Sequence, residues 1–400
     1  MAQLAVSGGS RHRTKDFPTW PQWDQREIDQ VTEVVRSGNW GGIPGTKGKE
    51  FAALMAAAHG AKYGMAALNG TTTLQIALKA AGLKAGDEVI VPAITWIATA
   101  TAALYEGIVP VFVDVEPDTY NMDPEAAEAG VTSRTRAIIP VHLGGRPVNL
   151  DGILEVAKRH DLVVIEDCAH AHGAKWRERG VGSWGDIGSF SFQSSKTITA
   201  GEAGCLITND ERLEEQCTSL INCGRVREGD TMVEPMLGWN YRLGDFQAAI
   251  LIAQLSRLDE WTHLRQENAA YLSEQLGKIP GIKPLKIDER ITRMGHYLYL
   301  FGYDGSEFAG LPRDRFADAM NAEGIPTGRR ETTVYDSPLF HVEPARYRKE
   351  PCPVAERVAA HEYVSFPHRL LMGTRDDIDD IVGAVRKVRA NVGELAVAAR

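Results

Sequence analysis

Apolar residues in the middle of the chain fall in short runs rather than long stripes. Seven such runs, at 64–68, 88–92, 109–115, 137–142, 162–167, 187–192 and 204–208, are rich in Val and Ile and mostly lack polar alternation. Strands covered on both faces carry that pattern. Between several of them, residues 71–81, 96–105 and 150–160 show helical spacing. This alternation over 63–209 predicts an α/β layer with a mainly parallel sheet. Residues 245–276 then read as long helix with one break. Past Pro280 the spacing predicts a strand at 296–303, a helix at 313–323 and a closing amphipathic helix at 375–392. We expect a large domain over 1–260 and a small C-terminal domain over 261–400, since 400 residues exceed one simple core.

Composition narrows the class. Apolar residues make up 44% and charged residues 24%, an ordinary globular balance. No apolar run reaches the roughly 18–20 residues of a membrane span, and the first 19 residues lack the apolar stretch of a signal peptide. Arg11, His12, Arg13 and Lys15 could mark a nucleic-acid arm, but a net charge of −9 favours a solvated tail and no nucleic-acid partner. The five cysteines form no CxxC pair and no Cys/His ligand spacing. That favours reduced thiols in the cytoplasm, with no disulfide framework and no structural metal.

A nucleotide-binding sheet is the first chemical hypothesis, and its fingerprints are missing. No GxGxxG follows a strand. The Gly-rich segment from Gly41 to Gly48 has the wrong spacing for a P-loop, and Glu50 stands where a Ser or Thr would hold magnesium. Three other strand ends carry candidate chemistry. Asn69-Gly70-Thr71-Thr72-Thr73 opens a helix, so its amides, hydroxyls and helix dipole could seat a phosphate; the threonines could equally serve as caps. Asp167 ends the buried run Val163-Val164-Ile165-Glu166-Asp167 at the crevice side of a parallel strand, where it could protonate a ring nitrogen, bind metal or cap a turn. Lys196 is a lone cation in Phe190-Ser191-Phe192-Gln193-Ser194-Ser195-Lys196-Thr197, a candidate for a lowered pKa and Schiff-base chemistry if it is not simply solvent-facing.

An acid on one strand, then Ser-Phe-x-x-x-Lys and Ala200-Gly201-Glu202-Ala203-Gly204, resembles the DegT/DnrJ/EryC1/StrS aminotransferases from about Trp20 to the C-terminus. Within that family the chain is most similar to glutamine:scyllo-inosose-type cyclitol aminotransferases and 3-amino-5-hydroxybenzoate synthases. The segments Phe17-Pro18-Thr19-Trp20-Pro21-Gln22, Thr95-Trp96-Ile97-Ala98-Thr99-Ala100-Thr101-Ala102 and His170-Ala171-His172-Gly173-Ala174-Lys175-Trp176 carry this likeness, with Cys223-Gly224-Arg225. The resemblance implies the pyridoxal-phosphate fold type I: a large domain on a mainly parallel seven-stranded sheet and a small C-terminal α/β domain.

It also implies roles. Lys196 matches the Schiff-base lysine that shuttles the proton, and Asp167 the acid on the pyridine nitrogen. Trp96 matches the ring-stacking aromatic, His170 a position near the cofactor's 3′-oxygen, and Thr71, Thr72 and Ser191 the phosphate contacts. Asn240, in Gly238-Trp239-Asn240-Tyr241-Arg242, matches a residue that reaches the cofactor of the other subunit, implying a homodimer. Glutamine or glutamate would donate the amino group, held as pyridoxamine phosphate before a ring ketone accepts it. For substrate contacts the chain offers His142, Arg225, Arg329, Arg330 and His368, and a donor carboxylate wants a bidentate Arg. The loop from Gly41 to Gly48 is expected to be mobile near the substrate entrance. Ser194-Ser195 and Ala203 depart from the relatives' Asn-Gly or Gln-Gly and Gly, which bears on the acceptor. The alternative is a lyase that dehydrates and aromatises an aminodehydroshikimate-type substrate. Dehydratase relatives carry His in place of the lysine, so Lys196 argues against that branch.

Overall fold

The computed structural model describes residues 3–41, 45–228 and 231–397. All seven expected strands form one sheet, in the order Tyr63–Ala67, Gly204–Thr208, Ile187–Ser191, Val163–Asp167, Thr135–Ile138, Glu88–Pro92, Val109–Val113. An eighth, Arg348–Lys349, adds to the last edge in parallel. Pairing is parallel except at Gly204–Thr208, which runs antiparallel to both neighbours. The connection from Ser191 to Gly204 contains no helix to carry the chain across, so the strand returns in the opposite direction.

Successive side chains point to opposite faces, so each strand feeds two cores. Val89 and Val91 pack on one face with Leu74 and Ile76 of the helix Gly70–Ala80. Ile90 between them packs on the other, with Phe51 and Met55 of Lys47–His59 and Ile153 of Leu150–His160. The apolar runs lack alternation because both faces are covered.

A second, antiparallel sheet has the order Ile282–Pro284, Leu298–Tyr303, Tyr363–Pro367, Gly328–Arg329. The helices Leu258–Leu276, Arg313–Ala322 and Arg375–Ala390 pack on it around Phe301, Phe316, Phe366 and Ile381. The expected division at 260 falls inside the first of these helices, which serves both cores: Leu258 and Trp261 face the large one, Leu272 and Leu276 the small. Two exchanges cross that division. Leu4 and Phe17 enter the small core, where buried Arg13 pairs with Asp377 and Asp380 at 2.8 and 2.7 Å. In return Val334, Tyr335, Phe340 and Cys352 pack against the large sheet.

Glu166 fixes the centre of the large sheet. Fully buried, its carboxylate accepts from the amides of Gly182, Trp184 and Gly185 at 2.7–2.8 Å and sits 3.0 Å from His142 Nε2. Burial pushes its pKa up, but His142 and those amides outweigh it, and the group stays below the ordinary range. Truncation in Glu166→Ala leaves three amides and an imidazole without their acceptor. The expected loss is about 3–5 kcal/mol of stability, read as a fall in the urea midpoint. A midpoint within error of the parent's would remove Glu166 from this role.

Candidate functional site

The ends of three strands and one helix start converge at the crevice edge of the large sheet. Asp167 closes the strand Val163–Asp167, and the pleat turns it away from Glu166. Its Oδ2 accepts from Thr99 Oγ1 at 2.9 Å and its Oδ1 from the Ala169 amide at 3.1 Å. Burial pushes the carboxyl up, while the Ala169 amide, Thr99 and the nearby Lys196 pull the other way. Thr99 is held in turn by Thr95 Oγ1 at 2.8 Å. The sequence alone gives neither threonine a role. Thr95 lies before the helix Ala98–Tyr105 and Thr99 in its first turn, so helical spacing does not pair them.

Lys196 sits in the turn after Ile187–Ser191. The Gln193 carbonyl accepts from its amide at 2.8 Å, and Gln193 Oε1 accepts from Ser195 N and Oγ. The small domain holds this turn as well. Tyr297 OH lies 2.8 Å from Ser195 Oγ, and His368 Nε2 donates to the Ser195 carbonyl at 3.0 Å. Lys196 Nζ lies 4.5 Å from the centre of the Tyr297 ring and has no ion pair among the described residues. Burial lowers its pKa to about 8, against the opposing pull of Asp167 and Glu202. Tyr297 also stacks on His170 at 4.2 Å, and His170 Nδ1 accepts from the Gly144 amide at 3.3 Å. Burial, then Lys196, keeps His170 well below the usual histidine range, hence neutral. Tyr297 was read only as part of a strand.

The helix start expected to seat a phosphate lies against Ser191, at the end of the strand that leads to Lys196. Asn69 caps the helix Gly70–Ala80 by accepting from Thr72 N at 2.9 Å, and Thr72 Oγ1 donates back to the Asn69 carbonyl at 2.9 Å. Thr72 thus spends its hydroxyl on the cap, whereas Thr71 leaves its own uncommitted among the described residues. Ser191 lies against this helix start so closely that a Cβ on Gly70 would meet Ser191 Cβ at 2.5 Å. The first amides of this helix, which have no partner within it, therefore start beside Ser191. Trp96, just before the helix Ala98–Tyr105, has 62% of its surface exposed.

The remaining candidates separate. Arg330 donates through Nη2 to the Thr95 carbonyl at 2.6 Å and through Nε to Thr332 O at 2.9 Å, which places it next to Trp96 with Nη1 uncommitted among the described residues. Arg329 points away, paired with Asp318 at 2.7 Å and near Asp314, so it is corrected to a surface ion pair. His142 is also corrected. Its ring is wholly buried, with Nε2 on Glu166 and Nδ1 accepting from Val148 N at 3.1 Å, leaving no atom for a substrate. His142, Glu166 and Cys168 bring ligand-type atoms within 4.8 Å, but those of His142 and Glu166 are already bonded. His368 is 3% exposed and holds the lysine turn rather than open space. Arg225 pairs with Glu234 at 3.3 Å beside the hairpin Val226–Glu228 and Thr231–Val233. Asn240 is exposed, with its backbone bridged to Asn222. Gly42, Ile43 and Pro44 of the Gly-rich loop lie outside the described residues. The helix start that follows, at Lys47–His59, is already occupied by Asp245, which accepts from Thr46 N and Lys47 N at 2.9 and 3.2 Å.

Crevice-end acid, half-buried lysine and helix start fit the arrangement of a fold type I enzyme. The family model described as DegT/DnrJ/EryC1/StrS aminotransferase family matches residues 21–386, and the chain belongs to that family. It is 43% identical to a Streptoalloteichus tenebrarius protein provisionally named an L-glutamine:3-amino-2,3-dideoxy-scyllo-inosose aminotransferase, over 98% of this chain and 99% of that one. It is 39% identical to L-glutamine:scyllo-inosose aminotransferase of Streptomyces griseus, over 99% of each. Among solved structures, 3-amino-5-hydroxybenzoic acid synthase superposes with a TM-score of 0.88 at 33% identity, over 94% of this chain and 100% of that one. The chain is an aminotransferase. No helix among the described residues is long and apolar enough to cross a membrane.

The amine of Lys196 is nucleophilic only when deprotonated, so its reactivity rises as pH climbs through its pKa. Modification of the cofactor-free protein by trinitrobenzenesulfonate, followed on the Lys196 peptide, should show a midpoint near pH 8. The folded amine binds its proton less tightly than the unfolded one. Folding stability therefore gains with pH between about 8 and the ordinary 10.5. A modification midpoint at the ordinary lysine value would mean the site does not desolvate the amine.

Proposed function

We propose that this chain moves an amino group from glutamine to the ketone of a keto-cyclitol, using pyridoxal phosphate held at Lys196. The observation that carries this reading is the pairing of a desolvated Lys196 with the buried Asp167 beside the Gly70–Thr71–Ser191 cradle. The names of the relatives that match almost end to end support the donor and the acceptor. When bound, the cofactor supplies a carbonyl carbon for amines and an electron sink for the carbanion.

The residues then divide the work. Gly70 N, Thr71 N and the hydroxyls of Thr71 and Ser191 donate to the phosphate, and the helix dipole adds to the attraction. Thr72 keeps that helix start in shape through its bond to Asn69. Trp96 offers a flat face for the ring, and neutral His170 offers an Nε2 proton near its oxygen. Asp167, aimed by Thr99 and the Ala169 amide, receives the ring N–H; a cation opposite it keeps its carboxylate ionised despite burial. Lys196 Nζ, neutral in a large fraction near pH 8, would hold the proton taken from the donor's Cα while it passes to the carbon on the far side of the amino nitrogen. Arg330 Nη1, uncommitted next to Trp96, is the guanidinium nitrogen assigned to the donor's carboxylate. Asn240, exposed on its own protomer, is assigned to the partner's cradle, which makes the unit a homodimer. Five unpaired cysteines support the cytoplasm as its compartment.

Borohydride treatment of the protein loaded with pyridoxal phosphate should fix the cofactor's mass to the Lys196 peptide. Lys196→Ala should lose that adduct and at least about a hundredfold in the glutamine half-reaction. Cofactor fixed elsewhere sinks the assignment. An aromatic amine as the product, rather than an aminocyclitol, would favour the lyase reading suggested by the solved synthase. Shared sites have their own signature. Mixing inactive Lys196→Ala with inactive Asn240→Ala protomers should restore about a quarter of parental activity, because each mixed dimer contains one intact site. No recovery from mixed dimers would place Asn240 in its own subunit's site.

A further inference from the structure

A cavity of about 380 Å³ lies between the two domains, next to the site described above. Leu143, Gly144 and Arg146 form one wall, and Gln266, Ala269 and Ser273 of the helix Leu258–Leu276 form another. Leu285, Ile287, Ile291, Met294, Leu298 and Leu300 make most of the rest apolar. No aspartate or glutamate lines it. Its size falls in the range of small-molecule pockets.

Arg146 is the anomaly. It is only 6% exposed, yet no carboxylate lies within ion-pairing distance among the described residues. One of its five N–H donors reaches the Lys286 carbonyl through Nη1. Nε is buried with no partner, and Nη2 has none among the described residues. Nε is shut off from solvent, so the nitrogen left to meet an anion is Nη2. A guanidinium held out of water without an anion is costly, so an unpaired Nη2 on a residue that lines a cavity asks for one. Nearby Arg265 is also buried without a carboxylate, bonded only to Gly295 O, Thr262 Oγ1 and Met372 Sδ. Burial, then these two arginines, holds His296 at about 3, so the corner is positive without any anion of its own.

We propose that this cavity is a second ligand site, which binds a small monocarboxylate with an apolar body by pairing its carboxylate with Arg146. The charge sets one end of the ligand and the leucine and isoleucine walls set the other. The site shares a wall with the catalytic crevice: Gly144, which lines the cavity, donates to His170, and His296, which also lines it, precedes Tyr297. Its occupant can therefore differ from the amino donor and the ketone.

Titration calorimetry at low ionic strength, on the cofactor-loaded protein, compares benzoate and hexanoate with benzamide, hexanamide and inorganic phosphate. The carboxylates should bind saturably, and the neutral amides and phosphate should not. Arg146→Met keeps the stem and should weaken carboxylate binding by about tenfold or more. Ala270→Phe places a ring at the exposed rim, leaves Arg146 untouched and should also block binding. Arg330→Met separates this site from the catalytic one, and binding should survive it. Carboxylates that bind no better than their amides overturn the proposal. So does binding that is lost in Arg330→Met and kept in Arg146→Met, or preferential binding of phosphate.

Discussion

The site depends on two neighbouring carboxylates sent to opposite sides of one strand. Glu166 turns into the sheet and spends its oxygens on three amides and His142. Those amides belong to residues 182–185, the turn that leads directly into Ile187–Ser191 and so to Lys196. Asp167, one residue on, is turned by the same pleat to the crevice. The position of Asp167 and the route of the lysine's strand are thus set by one buried anion. An anion so deep is tolerable only because every lone pair that counts is filled.

That arrangement explains what the sequence could reveal. Strands buried on both faces announce themselves as apolar runs, and all seven form within a few residues of their expected ranges. The acid, the lysine, Thr71 and Ser191 stand at strand ends or a helix start, places where local sequence predicts exposure to the crevice. Partners made in three dimensions left no such trace. His142 looked like a polar residue at a strand end, but what defines it is Glu166 on the adjacent strand. Arg329 and Arg330 are neighbours whose side chains must diverge; only the acids of the helix Arg313–Ala322 decide which turns outward. Thr99 gained its role when the helix Ala98–Tyr105 settled over the end of Asp167's strand.

The division of the chain was harder to read for the same reason. Periodicity locates elements but does not say which core each will join. Leu4 and Phe17 reach the small core, and Arg13 pairs with the last long helix, across more than 350 residues of chain. The segment holding Tyr335, Phe340 and Cys352 makes the return journey and adds Arg348–Lys349 to the large sheet. With each domain holding a piece of the other's sequence, the two are tied together by more than one linker.

This interlocking bears on the lysine. Its turn leaves the large sheet, but it is held by Tyr297 and His368, which flank the strands of the small one. His368 donates to a backbone carbonyl, and Trp20 packs edge-on against its ring at 4.5 Å, so the N-terminal segment backs the contact. A shift of the small domain would move the carbonyl next to Lys196 before it disturbed Asp167, which rests wholly on large-domain groups. The acid is therefore the fixed point and the amine the adjustable one. Such a division suits a reaction in which one group must hold its charge throughout while the other releases and retakes a proton.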